Sequence, residues 1–77
     1  MFLYTKDQLK AMQKQALEDL VGYAGGRAHL ARMLNKPLPT INSWIKRGMV
    51  SEKGADEISS HPAFKEDFPV SRLRPDL

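Results

Sequence analysis

Glycine, asparagine and proline cut the middle of this 77-residue chain into pieces of helix length. Gly25-Gly26, Asn35-Lys36-Pro37 and Gly48 are the cuts. Glycine takes left-handed backbone without penalty and proline lacks an N–H donor, so one long helix cannot run through these points. The pattern inside each piece is helical. Arg27 to Leu34 carries Ala28, Leu30, Ala31, Met33 and Leu34, with Gly26 as N-cap and Asn35 as the left-handed residue that ends the helix. Pro37 marks the stop. Leu38 to Arg47 places Ile41, Trp44 and Ile45 on one face and Asn42, Ser43, Lys46 and Arg47 largely on the other. Pro39 fits only in the first turn of that helix, and Gly48 closes it.

The flanks are helical too. Thr5 and Gln8 stand at capping-box spacing, with Tyr4 and Leu9 placed for a hydrophobic staple. Leu9, Met12, Ala16 and Leu20 then form an apolar stripe, and the helix is predicted to fade between Leu20 and Tyr23 ahead of Gly25-Gly26. Ser51 is an N-cap for a further helix that turns Ala55 and Ile58 inward, is weakened by Gly54, and ends at Ser59 or Ser60. Another helical turn fits Pro62 to Glu66. From Asp67 the chain reads as irregular or extended, with Phe68, Val70 and Leu73 suited to a short strand. The expectation is one all-α domain over residues 1–77. It has four or five short helices around a helix-turn-helix at about 27–47 and an irregular or extended tail at about 67–77.

Composition removes several classes of function. The chain has no cysteine, which excludes disulfides, thiolate metal sites and thiol nucleophiles. His29 and His61 lie too far apart in sequence to suggest a zinc site. The apolar start, Met1 to Tyr4, is too short for a signal peptide, and no stretch approaches a membrane span. The carboxylate pairs Glu18-Asp19, Asp56-Glu57 and Glu66-Asp67 are adjacent in sequence, so their members diverge on a helix. No catalytic triad order or phosphate-binding glycine loop accompanies them, and no enzyme, metal, cofactor or small-molecule ligand is expected. A cytoplasmic protein is the natural reading.

Charge is unevenly distributed. From Leu20 to Ser51 there are five basic residues, Arg27, Arg32, Lys36, Lys46 and Arg47, and no acidic one, although the whole chain carries only +3. Positive charge concentrated this way suits a polyanion.

Two short helices joined by a tight turn can set the second helix in a DNA major groove. Ala31 allows close approach of the second helix, Leu30 and Leu34 supply core, and Ile41 and Trp44 close the angle. The run Gly26-Arg27-Ala28-His29-Leu30-Ala31-Arg32-Met33-Leu34-Asn35, followed by Leu38-Pro39-Thr40-Ile41-Asn42-Ser43-Trp44, resembles the helix-turn-helix of phage Cro repressors and the related YdaS-like prophage proteins. In that family a GGxxxLAxxLG half leads to a PTVSxW half. The ending Leu73-Arg74-Pro75-Asp76-Leu77 is similar to the LRPDL ending of YdaS-like proteins. The chain departs from the pattern at Asn35, where the family has glycine. It also departs at Lys36 (usually apolar), at Pro37 (usually a Ser or Thr cap) and at Leu38 (commonly a polar base reader).

The resemblance implies a Cro-like repressor that blocks polymerase at an operator. Asn42 and Ser43 are the expected base readers, because asparagine bonds adenine bidentately and serine bonds several base edges. Leu38 and Pro39 are candidates for thymine methyl contacts. Arg27, Lys36, Thr40, Lys46 and Arg47 are candidates for phosphate contact, which gives affinity without reading sequence. Five such contacts per subunit would give a salt slope of about −4 to −5. Specificity is expected to need two copies on a two-fold related site, paired through Met1 to Leu3 or through the tail from Phe68 to Leu77. Activation, antitoxin autoregulation, or a protein-interaction module without DNA affinity are the alternatives.

Overall fold

The structure, a computed structural model, describes residues 4–77; the Met1 to Leu3 dimer surface lies outside the described residues. Among the described residues five helices form an all-α fold: α1 (Lys6–Ala24), α2 (Arg27–Met33), α3 (Leu38–Arg47), α4 (Glu52–Ser60) and α5 (Val70–Leu73). Helix α1 is the platform, with α2, α3 and α5 packed on it; α2 also packs on α3, and α5 on α4.

The start of α1 follows the predicted box. The Gln8 N–H donates to the Thr5 hydroxyl at 3.1 Å, and the Thr5 N–H donates to Gln8 Oε1 at 2.8 Å. Two donors that a helix start leaves unpartnered are thereby satisfied. The buried face is wider than the predicted stripe. Leu17 and Ala24 join Ala16 and Leu20 in the core, while Leu9 and Met12 are only half-buried. Several helices lean on α1, and they cover more of it than one narrow row.

Helix α1 also outruns its predicted end. It passes through Gly22 and stops at Gly25, whose φ of 92° and N–H bond to the Gly22 carbonyl close the last turn. Tertiary contact explains the overrun. Ala24 is buried, and the Tyr23 ring meets Phe64 and Phe68 edge-on at 5.9 and 5.5 Å. Such packing outweighs the roughly 1 kcal/mol by which a glycine weakens a helix interior.

The strand expected at the C-terminus is not formed. In its place Val70–Leu73 makes one helical turn, started by Pro69 in extended backbone. Phe68 and Leu73 are five residues apart, so a strand would turn them to opposite sides. The helical turn brings both into the core, at 2% and 1% exposure. These apolar residues, expected to pair two chains, are instead used within one.

The last residues form a clasp. Arg74 grips the Asp76 carboxylate with two hydrogen bonds, 2.9 Å from Nε and 2.8 Å from a terminal nitrogen. Its other terminal nitrogen donates to the Val50 carbonyl at 3.2 Å, in the loop between α3 and α4. Asp76 also accepts at 2.7 Å from Gln13 of α1, a buried polar side chain whose amide would otherwise lack a partner. The Arg74 hydrogen bonds hold the Asp76 carboxyl down at about 2, and Asp76 in turn raises the Arg74 pKa.

Candidate nucleic-acid interface

The α2–α3 corner is built by backbone closure at its turn. Asn35 takes φ of 54°, the only non-glycine positive φ among the described residues. That conformation lets the Asn35 N–H reach the Arg32 carbonyl at 3.1 Å and the Lys36 N–H reach the Ala31 carbonyl at 2.9 Å. The carbonyls left open at the end of α2 are thus satisfied and the chain reverses. Pro37 is extended and Pro39 lies in the first turn of α3, where its missing N–H costs little. At the far end Gly48, with φ of 79°, stops α3.

The inner face of α3 is held as expected. Ile41 and Trp44 are buried with Leu30 and Ala31, and Trp44 at 2% exposure is core. Its seat is Gly54 of α4. A methyl group there would stand 2.6 Å from Trp44 Cζ2 and 3.0 Å from Cη2. Gly54 reads in the sequence as a defect in a helix, but in the fold it is the floor beneath the indole. The helical period cannot reveal it, because the contact joins two elements.

The outer face of α3 is open. Asn42, Ser43, Lys46 and Arg47 are exposed, as are Pro39 and, at 40%, Leu38; Thr40 is half-buried. Helix α5 packs on α1 and α4 and leaves this face uncovered. Arg27, at the start of α2, reaches across and donates from a terminal nitrogen to Asn42 Oδ1 at 3.3 Å. A guanidinium only donates, so this contact orients the amide: the oxygen faces Arg27 and the NH2 group points elsewhere. Two residues expected to take different tasks, one on phosphate and one on bases, are therefore joined to each other.

Lys36 is placed differently. Its ammonium lies 2.8 Å from the Glu57 carboxylate of α4, and both side chains are partly covered. The fold uses this charge to tie the turn to α4, which sequence spacing could not show. No carboxylate among the described residues pairs with Arg27, Lys46 or Arg47. The two histidines act locally. His29 Nδ1 lies 2.9 Å from the Ala24 carbonyl at the end of α1. His61 Nδ1 accepts from the Ala63 N–H at 3.1 Å, so its Nε2 carries the proton that bonds the Met33 carbonyl at 3.2 Å. That bond fastens the end of α4 to the end of α2.

Among the described residues no helix is long and apolar enough to cross a membrane. No protein-family model, curated protein or solved structure matches the chain.

Proposed function

We propose that this chain is a sequence-specific double-stranded DNA-binding transcriptional regulator, a Cro-like repressor in action, with α3 lying in the major groove. One observation carries the reading. The rod from Leu38 to Arg47 is anchored by Ile41 and Trp44, while its polar side is exposed and its cations have no internal carboxylate.

Asn42 and Ser43 read base edges in this arrangement, with Leu38 and Pro39 against thymine methyls at the start of the helix. Arg27, Lys46 and Arg47 bind phosphate, and Thr40 adds a hydroxyl donor. Arg27 also steadies the Asn42 amide while the rest of its guanidinium remains available to the backbone. Lys36, engaged by Glu57, drops out of the set, so this surface holds three available cations. Its salt slope is then about −3 per subunit. Two copies on a two-fold related operator supply the specificity that one short helix lacks.

Selection of bound duplexes from a random pool tests the reading, and a palindromic consensus is the expected result. Asn42→Ala and Ser43→Ala should flatten base preference by about 1–3 kcal/mol per lost contact. Lys46→Ala should weaken binding to all sequences alike. Absence of duplex binding at low salt would sink the proposal and favour a protein-interaction module.

A further inference from the structure

A groove of about 440 Å³ runs along the first half of α1 and meets the C-terminal end of α3. Lys6, Lys10 and Lys14 of α1 line it together with Leu9, Arg47 and Met49. All four cations are exposed, whereas Leu9 and Met49 are half-buried. The lysines follow at steps of four residues, a rise of about 6 Å each, so they form a row about 12 Å long.

We propose that this groove is a second track for the phosphate backbone of the same duplex, flanking the segment read by α3. The inference rests on the DNA-binding reading and extends its footprint. Two observations favour a nucleic-acid backbone as the occupant. The first is charge. The one carboxylate lining the groove is Asp76, and its oxygens are already taken by Arg74 and Gln13. A cleft walled by one sign of charge concentrates a polyanion. The second is continuity. Arg47 lies four residues after Ser43, one helical turn along the exposed side of α3, and also walls the groove. A strand leaving the groove read by α3 therefore meets Arg47 first and the lysine row next. The half-buried Leu9 and Met49 support the lysine stems, which lie along apolar surface with their ammonium groups outward.

The basic count of the central segment hid this row. Lys6, Lys10 and Lys14 lie outside the acid-free stretch, and in sequence they are the ordinary solvated flank of an amphipathic helix.

The test uses the whole chain with Lys6, Lys10 and Lys14 all changed to Gln. Binding to a mixed-sequence duplex and to a selected duplex is measured against salt. The wild-type slope should be about −5 to −6 per subunit, and the triple variant should return to about −3. Between 50 and 200 mM salt the wild type should then lose about 40-fold more affinity than the variant. Base preference should stay unchanged, and a hydroxyl-radical footprint should shorten on one flank. Changing all three lysines to Arg should restore the wild-type slope, and Lys10→Gln alone should lower it by about 1. Equal slopes and footprints for wild type and triple variant would overturn the track and leave the α3 reading standing. Failure of the wild type to bind any duplex, with capture of an acidic peptide instead, would overturn both.

Discussion

The α2–α3 corner and the C-terminal segment treat their charges in opposite ways. At the corner, Arg27, Lys46 and Arg47 are exposed and have no carboxylate partner among the described residues. At the C-terminus, Arg72 pairs with Asp19 at 3.0 Å and lies 4.5 Å above the Phe68 ring, while Arg74 is closed onto Asp76. Both regions carry arginines in sequence. Only one leaves positive charge facing outward. Arginines therefore do not mark an interface by number; their carboxylate neighbours decide whether the charge serves the fold or a partner.

The sharpest way to break the corner is from beneath. Trp44→Ala should cost about 3–5 kcal/mol and unfold most of so small a domain, as urea melts would show. Gly54→Ala should cost about 1–3 kcal/mol, because the new methyl meets the indole. Trp44→Phe removes the atoms in that clash. The double variant should therefore be more stable than the two single losses predict, and strict additivity would refute the seating of Trp44 on Gly54.

Next in size is the clasp. Arg74→Ala should lower stability by about 1–3 kcal/mol by leaving Asp76 and the Val50 carbonyl short of partners. The pH dependence has a definite sign. The Asp76 carboxyl is held at about 2 when folded, against 3.8 as the ordinary value. Its stabilisation is therefore complete above the ordinary value and is lost as pH falls toward 2. Thermal melts of wild type and Asp76→Asn should differ at pH 6 and converge near pH 2. A constant gap would mean that the carboxylate charge is not what the clasp uses.

The smallest effects separate the two kinds of arginine most cleanly. Arg72→Ala should cost about 0.5–1 kcal/mol, since its ion pair and ring contact are largely exposed, and leave duplex affinity intact. Arg27→Ala should change stability by less than about 0.5 kcal/mol while weakening duplex binding and loosening the preference read by Asn42. Calorimetry and mobility shifts on both variants would expose any exchange of roles.

Much of the fold could be read along the chain because its signals act within one turn. The Thr5–Gln8 box, the Asn35 and Gly48 reversals and the Ser51 cap depend on neighbours a few residues away, and the inward side of Ile41 and Trp44 follows from the helical period. The exposed side of α3 follows from the same period. Reading failed where the decisive partner was distant. Gly22 stayed helical because Tyr23 meets Phe64 and Phe68, and the tail coiled because Phe68 and Leu73 share one core.

By itself the sequence determined an all-α chain, the position of its α2–α3 corner and the side of α3 that faces inward. Periodicity, caps and left-handed turn residues are local, and their effect does not wait for the rest of the chain. Tertiary structure alone decided which charges remained available. Glu57 took Lys36 and Asp19 took Arg72, while Lys6, Lys10 and Lys14 came to line one groove with Arg47. Electrostatic pairing acts over a few ångströms in space, and no spacing along a chain states which side chains will come that close.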